Sequence, residues 1–145
     1  MRALLQRVSS GSVEVAGERV GEIGRGLVVL LGLDKGDDQV AVARMVDKLL
    51  AYRVFADEAG RMNRSVVDVS GDILLVSQFT LSADTRKGLR PSFSSAMPPP
   101  EAEQLYNHLL LELGRRHPRV ASGVFGADMQ VTLTNDGPVT FLLEI

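Results

Sequence analysis

The sequence contains no cysteine and no tryptophan, and it has only 2 histidines and few aromatic side chains. Without cysteine, disulfides, thiolate metal sites and cysteine nucleophiles are excluded. No apolar run approaches the roughly 18 residues of a membrane-spanning helix, and residues 1–8 are too short and too charged for a signal peptide. The net charge of −2 provides no general attraction for nucleic acid. We therefore expect a cytoplasmic protein without membrane contact, in which any nucleic-acid partner is bound by a local basic patch.

The two histidines are poorly placed for catalysis. His108 falls off the apolar stripe of a predicted helix, toward solvent, and His117 lies in a basic stretch after Gly114. A Ser-His-Asp triad needs a histidine that reaches the nucleophile, so we expect neither a triad nor a histidine-rich metal site, and no cofactor. Carboxylates in predicted turns leave paired-carboxylate chemistry open, although such residues are usually structural. Backbone N–H groups that stabilise an oxyanion, with a hydroxyl supplied by the substrate, are compatible with this composition.

One short stretch stands out among the residues that are present. The apolar run at residues 73–76 gives way to Ser77, Gln78, Phe79 and Thr80, which carry two hydroxyls, an amide and an aromatic ring. Such a change predicts a strand that leaves the core and presents its end to a ligand. The same pattern is also typical of a strand end whose Ser and Thr only cap the following turn, and local sequence does not decide between them.

The remaining pattern predicts a mixed α/β domain with mainly antiparallel strands. Residues 2–9 alternate, 9–12 indicate a turn, 21–26 a hairpin turn rather than a phosphate loop, and 27–33 a buried strand. Residues 34–38 indicate a turn and helix cap instead of a calcium loop, and 53–55 a further strand. Two strands at 129–134 and 139–143 are interrupted by a turn at 135–138. No composition shift divides the chain, so residues 1–145 are expected to form one domain.

Two amphipathic helices are predicted to pack on the sheet. The first places Val42, Met45, Val46, Leu49 and Leu50 on one stripe. The second starts after the prolines at 98–100 and ends near Gly114. Two basic segments flank the second helix, and we consider both as candidate phosphate contacts, with solvated surface charge as the alternative for the second of them; they contain Arg86, Lys87 and Arg90, and Arg115, Arg116 and Arg119.

Beyond these patterns, the chain resembles the D-aminoacyl-tRNA deacylases, once called D-tyrosyl-tRNA deacylases. Two motifs carry the resemblance, residues 77–81 (SQFTL) and 135–140 (NDGPVT). Further segments match in the same order, namely residues 1–8, 62–65, 87–93 and 125–131. The resemblance therefore extends over essentially the whole chain.

The resemblance implies a homodimer with a three-layer β/β/α fold and active sites at the subunit interface. Each site would combine residues 77–80 of one subunit with Gly137 and Pro138 of the other, whose peptide bond would be cis and whose carbonyl groups would exclude L side chains. Arg7 would steady the Gly-Pro segment, and Met129 would pack near it. The substrate would be D-aminoacyl-tRNA, with mischarged glycyl-tRNA as a further target.

By the same resemblance, the N–H groups of Phe79 and Thr80 would bind the ester carbonyl oxygen, Gln78 would position the adenosine, and the ribose 2′-OH would assist the attacking water. Two other functions stay open from the sequence: a non-catalytic RNA-binding dimer, and a serine or threonine esterase acting on small esters. In an alternative mechanism Thr80 is the nucleophile, which lacks a neighbouring base to activate it.

Overall fold

The computed structural model describes all 145 residues as a mixed α/β fold with a mostly antiparallel, barrel-like sheet and two helices. This is the predicted fold class. The elements are β1 (Arg2–Val15), β2 (Glu18–Ile23), β3 (Gly26–Gly32), α1 (Gln39–Ala51), β4 (Phe55–Ala56), β5 (Met62–Arg64), β6 (Asp72–Ser77), a 3-10 turn (Phe79–Ser82), α2 (Pro99–Arg116), β7 (Val120–Ser122) and β8 (Gln130–Glu144).

The strand β1 runs straight through residues 9–12, so the turn predicted there is wrong. Both Ser10 and Ser12 are paired with threonines of β8. Gly11 is needed for close packing and not for a turn, because a Cβ atom at this position would lie 2.9 Å from the Val28 side chain. The chain reverses later, at Ala16 and Gly17, which both have positive φ angles.

The hairpin turn predicted at residues 21–26 is also wrong. Both β2 and β3 pair with β1 in one continuous register, in which Gly11 faces Ile23 and Val8 faces Gly26. They therefore follow each other along the same edge of β1. Gly26 allows the next strand to approach, since a Cβ atom there would lie 1.9 Å from the carbonyl oxygen of Asp72.

The segment 135–138 is a bulge inside β8, where the sequence predicted a turn between two strands. Gln6 faces Thr140 and Val8 faces Asn135, so that two steps along β1 correspond to five along β8. The Asn135 side chain stabilises the bulge: its Oδ1 accepts the Val139 N–H at 2.7 Å, and its amide donates to the Thr140 hydroxyl at 3.0 Å.

Two apolar clusters lie between the three layers of the β/β/α fold. The larger one fills the space between the sheet and the two helices, and the smaller one lies inside the curled sheet, around Val8, Val28 and Leu74. The predicted stripe of α1 is buried in the larger cluster. Asp38 caps α1 by accepting the Ala41 N–H at 2.9 Å, as expected.

The second helix passes Gly114 and ends at Arg116, slightly beyond its predicted end. Neither helix has the length and apolarity needed to cross a membrane.

Candidate active site

The site begins where two parallel strands end at the same edge of the sheet. In the parallel pair of β3 and β6, Leu31 faces Ser77, and the Gln78 N–H donates to the Leu31 carbonyl at 2.8 Å. Residues 73–76 are buried, Ser77 and Gln78 are half-buried, and Phe79 and Thr80 are exposed. The strand therefore leaves the core at the predicted position, and its polar end faces solvent.

A single 3-10 turn follows the strand and orients its first N–H groups outward. The first donors of a helical turn have no acceptor within the turn. Here the N–H groups of Phe79 and Thr80 have no acceptor elsewhere in the chain either, whereas the next one, of Leu81, donates to Gln78 at 3.2 Å. Two adjacent backbone donors are thus available to a ligand oxygen at this edge.

The first of these donors borders a cleft of about 800 Å³ that is mainly apolar: Phe79 lines this cleft, whereas Thr80, the next residue, is not among its lining residues. Ser77, Gln78 and Phe79 line it, together with residues from 93–99, from α2 and from 125–131. Phe79 is 62% exposed, and its ring packs at a tilt against that of Phe93 with 5.0 Å between the ring centres. Such a mixture of exposed rings, apolar walls and few polar groups is typical of a pocket for a flat organic group.

The phenol of Tyr106 forms part of the inner wall of the cleft. Its hydroxyl donates to the Leu75 carbonyl at 3.1 Å, and burial raises the pKa of Tyr106 well above its usual value. The group therefore stays neutral at physiological pH and does not act as a base.

No histidine reaches the strand end. His117 is buried, although the sequence placed it in a solvated basic cluster, and its Nε2 is 2.7 Å from the Gly71 carbonyl oxygen. Gly71 and Ser77 flank opposite ends of β6, about 20 Å apart at ~3.3 Å per residue. His108 is half-buried on α2 and is not among the cleft residues. The Thr80 hydroxyl therefore has no neighbouring imidazole.

Gly137 and Pro138 lie away from this cleft. None of the cleft residues comes from the segment 132–144, and both Gly137 and Pro138 are exposed. Their peptide bond is cis. Within one chain, the two sequence motifs thus do not form a single pocket.

Arg7 connects the Gly-Pro segment to the rest of the fold. Its Nε donates to the Asp136 carbonyl at 2.9 Å and its Nη1 to the Val54 carbonyl at 2.7 Å. The side chain is only 16% exposed. Arg7 is therefore placed to hold the residue that precedes Gly137.

Within one chain Met129 lies away from Arg7, so its expected packing near the Gly-Pro segment stays a prediction. It lies near the start of β8, about 25 Å along an extended chain from Gly137. Its sulfur accepts the Val124 N–H at 3.4 Å, and the side chain lines the cleft beside Ser77 and Phe79.

The first basic segment is a surface loop. Arg86 forms a bidentate ion pair with Asp84, at 2.9 and 2.7 Å. This guanidinium and the Arg86 backbone N–H hold the pKa of Asp84 far below its usual value. Lys87 and Arg90 are exposed and form no ion pair, so their charges are available to a polyanion.

The second basic segment is separate from the cleft, near the beginning of β6. Arg119 accepts the Ile73 N–H with its carbonyl at 2.8 Å. All three arginines are paired with carboxylates: Arg115 with Glu112, Arg116 with Asp47 and Arg119 with Asp72. The arrangement favours the alternative interpretation, a surface charge network.

Sequence reasoning missed one charged residue of the cleft, Lys35, because the segment 34–38 was interpreted only as a turn and helix cap. The parallel pairing of β3 with β6 identifies it, because this pairing places the residues that follow both strands at the same opening of the cleft, its mouth.

Comparison with known proteins gives a consistent result. Residues 4–144 match the sequence profile of the family D-Tyr-tRNA(Tyr) deacylase. Among curated proteins, the D-aminoacyl-tRNA deacylase of Ectopseudomonas mendocina (strain ymp) is 60% identical over 145 residues, all of both chains. That of Stutzerimonas stutzeri (strain A1501) is 61% identical over 144 residues, 99% of each chain.

Two solved structures share the fold. A c-Myc DNA unwinding element binding protein superposes with a TM-score of 0.96 at 47% identity, over 100% of this chain and 99% of that one. A probable eukaryotic D-amino acid tRNA deacylase superposes with a TM-score of 0.87 at 20% identity, over 99% and 98% of the two chains, which shows the fold alone.

Proposed function

Since the chain belongs to the D-Tyr-tRNA(Tyr) deacylase family and is therefore an ester hydrolase, we propose that it cleaves D-aminoacyl-tRNA to free D-amino acid and tRNA in the cytoplasm. Glycyl-tRNA is a second substrate, and L-aminoacyl-tRNA is rejected. Residues 1–145 act as one domain. A proofreading role follows from this choice of substrate.

The observation that carries the proposal is the pair of free N–H groups at Phe79 and Thr80 beside an apolar cleft. Hydrolysis of an ester passes through a tetrahedral intermediate with a negative oxygen. Two donors fixed by a 3-10 turn are suited to bind that oxygen as its charge develops. The terminal adenosine and the amino-acid side chain then occupy the cleft, where the Phe79 ring can stack on the base.

Water is the nucleophile in the mechanism that we propose. Its oxygen bonds to the ester carbonyl carbon, and the ribose 2′-OH relays one proton of the water to the 3′-oxygen as the bond between that oxygen and the carbonyl carbon breaks, which leaves the free amino acid and a 3′-OH on the tRNA. The absence of a base near Thr80 supports this assignment, because an unassisted hydroxyl is a weak nucleophile. Gln78 contacts the adenosine, and Ser77 lies at the wall of the cleft.

Chiral selection requires a second copy of the chain in this proposal. Gly137 and Pro138 are exposed and lie outside their own cleft, which is the arrangement expected if they enter the cleft of a partner subunit. Their carbonyl groups would face the substrate's α-carbon and leave room for a D side chain or for the hydrogen of glycine. Selection then depends on steric rejection of the L substrate. Arg7 supports the segment through Asp136.

The unpaired edge of β8 and its exposed apolar side chains favour such a dimer. This strand forms an edge of the sheet and pairs only with β1. Long exposed edges readily pair with another chain, and β8 exposes apolar side chains that include Leu142, which is 52% exposed. A homodimer would cover this surface.

The body of the tRNA is bound by local charge. Lys87 and Arg90 are exposed cations at the edge of the same loop that supplies Phe93 to the cleft. We assign them to phosphate contacts whose strength falls with salt concentration; Arg86 joins them by exchanging the Asp84 carboxylate for a phosphate.

Parallel hydrolysis assays with D-Tyr-tRNA and L-Tyr-tRNA test the proposal. We expect release of tyrosine from the D substrate only. Binding of both tRNAs without release would instead support a non-catalytic RNA-binding dimer. Equal cleavage of both, together with cleavage of a small ester such as p-nitrophenyl acetate, would support a general esterase.

A further inference from the structure

Lys35 is the only cation among the residues that line the cleft, and Asp128 is the only anion. All other lining residues are apolar or neutral. A positive charge at the rim of an apolar pocket attracts ligands that carry a negative charge beside the group that enters the pocket. Lys35 is therefore the one cation placed to interact with a ligand in the cleft.

The fold brings Lys35 to the same mouth as the free N–H groups. It follows β3, as Gln78 and Phe79 follow β6, and the two strands are parallel neighbours that end together. The Lys35 N–H donates to the Ser95 carbonyl at 2.9 Å, which fixes the backbone against the loop that carries Phe93. The side chain itself is exposed.

Neighbouring carboxylates do not neutralise Lys35. Asp34 and Asp37 bind the ammonium group of Met1, at 3.1 and 2.8 Å, and Asp38 caps α1. No ion pair or hydrogen bond engages the Lys35 ammonium group, so its charge is directed to solvent at the cleft mouth.

We propose that Lys35 is a positioning residue that binds the phosphodiester linking the terminal adenosine of the substrate to the preceding nucleotide. This inference rests on the proposed function. An adenosine that occupies the apolar cleft carries its nearest negative charge on the 5′ side of its ribose, outside the cleft. The only cation at the rim is then the natural partner for that phosphate. Lys35 would thereby select an ester on RNA over an ester on a free nucleoside.

The test compares two substrates, D-Tyr-tRNA and adenosine esterified with D-tyrosine, which lacks the phosphate. For Lys35→Met, we expect the KM for D-Tyr-tRNA to rise about fivefold, the effect of one exposed ion contact, with kcat unchanged. The KM for the nucleoside ester stays at the wild-type value. Lys35→Arg keeps the charge and should restore most of the affinity for tRNA.

Salt dependence provides a second readout. Loss of one phosphate contact should reduce the slope of log KM against log salt concentration by about one unit for the tRNA substrate. Lys48→Met is the matched control: Lys48 also lacks a carboxylate partner but does not line the cleft, and it should leave both values unchanged.

Equal losses on both substrates, or no loss on either, would overturn the assignment of Lys35. So would the same effect from Lys48→Met. The proposed function fails in a different way, since the wild-type protein would then release no tyrosine from either substrate.

Discussion

The side-chain amide of Gln78 donates a hydrogen bond to the hydroxyl oxygen of Thr80. This contact occupies an acceptor site of the hydroxyl but removes no proton from it. The nearest imidazoles belong to other parts of the fold. Thr80 is thus positioned by a neutral donor, which suits a residue that contributes its backbone N–H and not its oxygen.

The first prediction concerns Thr80→Ala. Because the N–H remains, we expect kcat/KM for D-Tyr-tRNA to stay within about tenfold of the wild-type value, whereas loss of a true nucleophile lowers the rate by several orders of magnitude. Replacement of Thr80 by its α-hydroxy analogue removes only the N–H, and should lower kcat by about 10²- to 10³-fold. The reverse order of the two effects would identify Thr80 as the nucleophile.

The second prediction concerns the bulge of β8. Asn135→Ala removes the acceptor of the part-buried Val139 N–H, and an unsatisfied donor of this kind destabilises a fold by about 1–3 kcal/mol. We expect a lower urea midpoint with an unchanged slope. Asn107→Ala, at an exposed helix position, is the control and should be close to neutral. Equal stability of both variants would show that the bulge does not depend on Asn135.

The third prediction concerns acid stability. The Asp57 carboxylate accepts the Arg61 N–H at 3.0 Å and the Ala59 N–H at 2.9 Å. Both hydrogen bonds lower the pKa of Asp57 in the folded state, the one from Arg61 more strongly. A depressed folded pKa stabilises the protein above the unfolded value of about 3.9, and this contribution is lost as the pH falls below it. We expect Asp57→Asn to flatten the decrease of unfolding free energy below about pH 4.

The measurement is urea unfolding at a series of pH values. Glu103→Gln, at an exposed position of α2, serves as the control and should follow the wild-type curve. An Asp57→Asn curve parallel to that of the wild type would show that the turn does not contribute to acid sensitivity.

Periodicity predicted the elements whose apolar positions repeat regularly. The stripe of α1 and the buried run of β6 are both present, because burial on one face imposes the spacing that the sequence shows. The exit of β6 at Ser77 was also predictable, since polar residues replace apolar ones where the strand leaves the core.

The incorrect predictions share a physical cause. Glycine and asparagine were interpreted as turn residues at 9–12, 21–26 and 135–138, but they serve close approach and a bulge. Turn chemistry is local, whereas the partner strand that makes a bulge possible is distant in sequence. Pairing of β3 with β6 is likewise non-local, which is why Lys35 could not be assigned to the cleft.

The roles of Gly137 and Pro138 followed only from the family resemblance. Their backbone contacts, such as the bond from Arg7 to Asp136, explain how the segment is held but not what it approaches. The pattern of apolar residues reports burial, so it does not indicate which segment of a second chain would complete a site.

The fourth prediction tests the shared site by complementation. Gly137→Val should inactivate the protein, because the φ angle of 153° is rarely adopted by L residues and a Cβ atom would lie 2.6 Å from Val139. Phe79→Asp should also inactivate it, by placing a negative charge beside the oxyanion donors. In a homodimer with sites completed in trans, each of these variants damages a different half of every site.

Refolding the two inactive variants together should therefore restore activity. Random assortment makes about half of the dimers mixed, and each mixed dimer has one intact site of two, so about a quarter of the wild-type rate is expected. Each variant refolded alone is the control, and circular dichroism verifies that both are folded. If the halves of the site came from the same chain, no pairing of these variants could rebuild an intact site, and the mixture would stay inactive.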